Sequence, residues 1–207
     1  MAAEPASAPQ AGSAAAGRGF DGKLWFWLPW PLLVALDLWS KAAAFAFVHA
    51  EATARGLGHL PEHRLPAWLV FDSSLLRLDL VCWGNTGTIW GLFQGSTLPL
   101  MVVRCAAVVG LLWFVWTLPR AARFRQLVLS LVFAGALGNL YDNFVRADRS
   151  VRDFLFFSGK WPVDWTFPAF NVADSCITVG AIGLFVVLWR DDRKPKPGPV
   201  SSPNTTA

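Results

Sequence analysis

The chain has 207 residues, 54% of them hydrophobic and 15% charged, with 12 Trp and 16 Phe against 1 Tyr and a mean hydropathy of +0.41. A soluble domain carries about 25% charged residues, so this composition excludes a disordered chain and argues against a water-soluble globule. The net charge of +4 is not gathered into a basic face interleaved with aromatics, so no nucleic-acid partner is expected. The 3 Cys lack C-x-x-C spacing and support neither a disulfide framework nor a zinc ribbon.

Residues 1–22, rich in Ala, Pro, Ser and Gly, are expected to form a disordered tail without a signal-peptide pattern. Residues 191–207 are expected to form a second one. Between them, within 23–190, lie four apolar stretches at about 24–48, 98–118, 126–144 and 170–189. A hydrocarbon layer about 30 Å thick requires about 20 apolar helical residues, so each reads as a membrane-spanning helix. The third is short at its apolar core and is expected either to run on through Asp142 and Phe144 or to sit in thin bilayer. Trp25, Trp27, Trp30, Trp165 and Trp189 suit the aromatic belts at the two interfaces.

The short connection between the second and third spans carries Arg120, Arg123 and Arg125 and no acid. The positive-inside rule therefore places it, and both termini, in the cytoplasm, with the two longer loops outside. In the first of these, Leu76 to Leu80 alternates apolar with charged residues before an apolar run to Trp83, the mark of a strand. With 68–71 before it and 88–93 after it, a small β-cradle over about 67–93 is expected to lie on the membrane surface. The fold class is thus an all-α integral membrane protein, a bundle of four spans with a small extracytoplasmic β-cradle.

Acids within hydrocarbon are costly and need a reason. Asp37 lies mid-span with Lys41 at i+4, so both share one helix face and can pair. The third span ends Gly135-Ala-Leu-Gly138-Asn139-Leu-Tyr-Asp142 and the fourth begins Phe170-Asn171-Val-Ala-Asp174-Ser175. Each holds N-x-x-D, which on a helix aligns amide and carboxyl on one face, amid small residues that allow close helix approach. Asp153 lies between them in Val151-Arg152-Asp153-Phe154, with apolar residues on either side of the Arg-Asp pair. Two carboxyls held close together share a proton, and such a pair can activate water while polarising a carbonyl, with no metal or cofactor. The plainer alternative is helix caps and ion pairs with Arg146, Arg149 or Arg152.

His59-Leu-Pro-Glu62-His63 matches H-x-x-E-H, a zinc-peptidase pattern that works only on a helix. Pro61 within it and Gly56, Gly58 and Pro66 around it disfavour one, so no metal site is expected. Gly84-Asn85-Thr86-Gly87 reads as a tight turn offering the Asn85 amide, not as a phosphate loop.

Taken together, these segments resemble the bacterial lipoprotein signal peptidases (signal peptidase II). Asp37-Leu-Trp-Ser-Lys41 is similar to that family's D-x-x-(S/T)-K, and Asn85-Thr-Gly87-Thr-Ile-Trp-Gly91 to its N-x-G segment. The ends of spans three and four resemble G-x-x-G-N-x-x-D and F-P-x-F-N-x-A-D-S, and Asp153-Phe154 its D-F. The resemblance covers about 37–185. It implies an aspartic endopeptidase of the inner membrane that cuts prolipoproteins before a diacylglyceryl-modified Cys and is inhibited by globomycin. It also implies Asp153 and Asp174 as the catalytic pair, with Asp37, Lys41, Asn85, Gly87, Asn139, Asp142 and Asn171 supporting the pair and the substrate. A monomer working with membrane lipid and lipidated precursors is expected.

Two features depart from the family pattern. Asn143 stands where the family has Arg, so Arg146 or Arg149 is expected to supply the missing guanidinium. Residues 159–164 read as an enlarged flap. A proton-coupled transporter using Asp37, Lys41, Asp142 and Asp174, and an inactive relative that only binds precursors, are the competing readings.

Overall fold

The computed structural model describes residues 19–87 and 97–192. The strand expected at 88–93 and most of both tails lie outside the described residues. Helix α1 (Leu24–Trp27) bends at Leu28 into α2 (Pro29–Ala54), where Pro29 occupies a first-turn position that lacks an N–H partner in any case. Helices α3 (Thr97–Thr117), α4 (Arg123–Val145) and α5 (Val172–Asp192) follow. Among the described residues, four stretches are long and apolar enough to cross a membrane: Leu24–Ala54, Thr97–Thr117, Arg123–Val145 and Val172–Asp191. Span three does continue past Asp142, to Val145.

Helix α4 is the centre of the bundle. About two thirds of its apolar window is buried, against 6% for α3, whose flanks are left to lipid. Small residues make that possible: a Cβ on Gly135 would collide with the Ala173 carbonyl oxygen and Ile177, and one on Gly180 with Val132. The buried face of α2 runs Asp37, Lys41, Ala44, Phe45, Val48, Ala52, the spacing of one helix side.

The chain is not all-α. A four-stranded antiparallel sheet runs in the order β1 (Trp68–Asp72), β2 (Arg77–Asn85), β3 (Val151–Gly159), β4 (Trp165–Thr166). The strands expected around 68–71 and 76–83 are present. Their partner comes from the second long loop: 151–159 pairs with β2, and 160–164, inside the stretch read as a flap, is the turn between β3 and β4. Alternation signalled β2, whereas β3 is mostly apolar and close packed, so periodicity did not reveal it. Phe45, Val48, Ala52, Leu65, Cys82 and Phe154 form a core that seats the sheet on α2. Gly19, within the expected N-terminal tail, donates its N–H to the Trp116 carbonyl at the end of α3.

Candidate active site

At the start of α5, the Asp174 N–H donates to Asn171 Oδ1 at 2.9 Å, and the Asn171 N–H donates back to Asp174 Oδ2 at 3.2 Å. This reciprocal pair is a capping box, which satisfies two amides that a helix start leaves unpaired and sets the carboxylate at the positive end of the helix dipole. Asn171 therefore stands just outside the helix, not stacked on its face as the i,i+3 spacing suggested. In α4 the expected stacking of Asn139 and Asp142 holds.

The side-chain amide of Asn171 joins the two candidate acids. It donates to Asp153 Oδ1 at 2.8 Å and to Asn139 Oδ1 and the Arg152 carbonyl, each at 3.2 Å. Asn139 donates to Asp174 Oδ1 at 2.8 Å. Asn85 donates to Asp153 Oδ2 at 3.0 Å, while its own Oδ1 accepts the Gly87 N–H at 3.0 Å, which fixes the amide's direction. Trp83 pairs with Asp153 and Asn85 with Val151, so Asn85 and Asp153 are diagonal neighbours on one face of the sheet. A register irregularity between Leu80 and Trp83 lies just before that pair, as bulges often do beside sites.

Beneath this layer lies a buried ionic network. Lys41, fully buried, meets Asp37 Oδ2 at 2.7 Å and Asp142 Oδ2 at 3.2 Å, and donates to Asn139 Oδ1 at 3.1 Å. Asp37 Oδ1 accepts the Ala173 N–H at 2.8 Å, tying α2 to the first turn of α5. Asp142 accepts the Arg152 Nε at 3.0 Å, its Nη2 at 2.6 Å and its backbone N–H at 3.0 Å. That grip holds β3 one residue before Asp153. All nine residues singled out from the sequence thus fall in or directly beside one polar cluster.

The expectation for Arg146 and Arg149 is not met. Arg146 pairs with Glu62 and Asp148, away from the acids, because the chain turns outward at the end of α4. Arg149 offers its carbonyl to Asn143. The guanidinium on Asn143 belongs instead to Arg104 in α3, which is not among the residues expected at the site. A lone Arg inside an otherwise apolar span was the available signal, by the same cost argument applied to Asp37.

Asp153 is 3% exposed, and Asp174 opens onto a cleft of about 560 Å³ lined also by Asn85, Gly87, Arg104, Asn139 and Phe170. Burial, and after it the charge of Asp174, pushes the Asp153 carboxyl up to about 7, against the pull of the Asn85 and Asn171 hydrogen bonds. Near neutral pH that group exchanges its proton readily. The H-x-x-E-H segment is no α-helix; a single turn of 3-10 helix covers Glu62–Arg64, and Glu62 pairs with Arg146. Burial pushes the Cys82 thiol up to about 12, so it is no nucleophile.

A family model described as signal peptidase (SPase) II matches residues 31–190. The lipoprotein signal peptidase of Deinococcus radiodurans is 33% identical over 174 residues, covering 81% of this chain and 82% of the relative. That of Pseudomonas aeruginosa is 32% identical over 176 residues, covering 82% and 89%. The fold is similar to a solved bacterial membrane enzyme with a TM-score of 0.54 at 24% identity, over 76% of this chain and 93% of that one. The acids, amides and spans described above therefore sit in a chain that belongs to the signal peptidase II family.

Proposed function

We propose that this protein removes signal peptides from prolipoproteins as an aspartic endopeptidase, with Asp153 and Asp174 as the catalytic pair. The observation that carries this reading is Asn171, whose side-chain amide donates to the Asp153 carboxyl and whose backbone N–H donates to the Asp174 carboxyl, at the edge of a cleft between lipid-facing helices. Asp153, buried and poised near neutrality, holds the shared proton and donates it to the scissile carbonyl oxygen. Asp174, open to the cleft, takes a proton from the attacking water. The tetrahedral species collapses as Asp174 passes that proton to the amide nitrogen, the C–N bond breaks and a hydroxyl proton returns to Asp153. Asn85, Asn139 and Asn171 keep lone pairs of both carboxyls occupied, so the remaining oxygen surface faces water and substrate.

The substrate in this reading is a precursor with a diacylglyceryl group on the Cys after the cut. Its chains dissolve in the bilayer at about 0.8 kcal/mol per methylene and deliver the scissile bond to the depth of the first turn of α5. The sheet and cleft then face outward and both termini lie in the cytoplasm. The transporter reading is not favoured, because Asp37, Lys41 and Asp142 are closed on one another in an ion network and helix α3 carries no acid.

The test is Asp153→Asn and Asp174→Asn, each expressed with a prolipoprotein and scored for uncleaved precursor. Both variants are expected to accumulate precursor. Normal processing by either one rejects the pair, and cleavage by the wild type that globomycin leaves untouched rejects the family mechanism.

A further inference from the structure

Helix α3 carries one charged residue in its 21, Arg104. It lies seven residues in from the start of the helix, about 10 Å along the axis at 1.5 Å per residue. A guanidinium there is costly unless something occupies it. Its Nη1 donates to Asn143 Oδ1, and among the described residues no carboxylate lies within ion-pairing distance of it. Four of its five N–H donors have no partner among the described residues. The side chain lines the cleft alongside Asp174, Asn139, Asn85 and Gly87.

Asn143 is used at both ends. Its Nδ2 is spent on the Arg149 carbonyl, which leaves Oδ1 facing α3 as an acceptor. An Arg at 143 could not accept from Arg104; here an amide on α4 holds a guanidinium delivered from α3.

We propose that Arg104 is a substrate-positioning residue. Its donors left without a partner among the described residues bind carbonyl oxygens of the lipidated precursor in the cleft and set the scissile bond against Asp174. A planar fork with several parallel N–H groups suits an extended backbone or an ester carbonyl, which a Lys ammonium matches less well. The inference rests on the peptidase reading only for what occupies the cleft.

The experiment uses the purified full chain and a diacylglyceryl-modified precursor peptide with a fluorescent label, read both for cleavage and for binding by anisotropy. Arg104→Gln is expected to lower kcat/KM at least thirtyfold, mostly through KM, and to weaken binding in parallel with Tm unchanged. Arg104→Lys, which retains the charge but not the fork, is expected to fall between. The exchange Arg104→Asn with Asn143→Arg is expected to recover kcat/KM to within fivefold of wild type. Unchanged kcat/KM and binding in Arg104→Gln overturn the proposal, as does a loss in Arg104→Lys that follows Tm and that the exchange fails to restore. A wild type that binds without cutting, with binding still weakened by Arg104→Gln, supports Arg104 while rejecting the peptidase reading.

Discussion

Lys41 Nζ donates to Asn139 Oδ1 at 3.1 Å, and together with the Asn171 amide on the same oxygen at 3.2 Å it decides which end of the Asn139 amide faces Asp174. An ammonium can only donate, so the amide oxygen must turn toward it and the NH2 group toward the carboxylate. The buried cation thereby acts on the candidate acid through an intermediate side chain, without touching it.

Lys41→Met is expected to cost about 3–5 kcal/mol, the usual penalty for breaking a buried pair, because Asp37 would retain only the Ala173 N–H. Precursor cleavage should fall at least tenfold as the Asn139 oxygen loses one of the two donors that fix its direction. Thermal unfolding in detergent measures the first effect. In an Asp37→Leu background the added penalty of Lys41→Met should shrink by more than half; a fully additive double mutant would show the pair to be uncoupled.

The Asp153 carboxyl binds a proton up to about pH 7 in the folded protein but only to about 3.8 once exposed. The folded state thus holds more protons between those limits, and this residue withdraws stability as pH rises from about 4 to 7. Asp153→Asn, inactive by the reading above, is expected to have a higher Tm than wild type at pH 8, with the gap closing by pH 4. Equal Tm differences at both pH values would place the carboxyl in the ordinary range.

Asn85 stabilises the ionised form of Asp153 by donating to it. Deleting that donor should raise the carboxyl further. If the alkaline limb of cleavage reports loss of the Asp153 proton, Asn85→Ala shifts the limb in kcat to higher pH while lowering the plateau. A limb that stays put, or moves to lower pH, contradicts the assignment of the proton to Asp153.

Gly135 and Gly110 make a matched comparison. At Gly135 an added methyl meets the Ala173 carbonyl and Ile177, so Gly135→Ala should force α4 from α5, cost about 1–3 kcal/mol and suppress cleavage. At Gly110 nothing lies within 4 Å, and Gly110→Ala should leave cleavage intact and gain up to about 1 kcal/mol. The two Tm values, measured side by side, check this.

What could be read from the residues alone follows from one-dimensional physics. Hydrocarbon thickness imposes span length, so four helices were legible from apolar runs, and the cost of burying charge singled out Asp37, Asp142 and Asp174. Alternation marked β2. The pairing of β3 with β2 was not legible, since two strands more than sixty residues apart meet only through the fold. Nor could spacing choose among Arg146, Arg149 and Arg152 for Asp142, because all lie within reach along the chain and only the turn after α4 selects Arg152. Arg104 reaches Asn143 because α3 packs on α4, and Asn171 serves both acids because it stands at a helix start facing a strand. Local chemistry determined which side chains had to be explained. Which of them touch was left to tertiary packing, since hydrogen bonds form at about 3 Å and no sequence interval encodes that distance between separate helices.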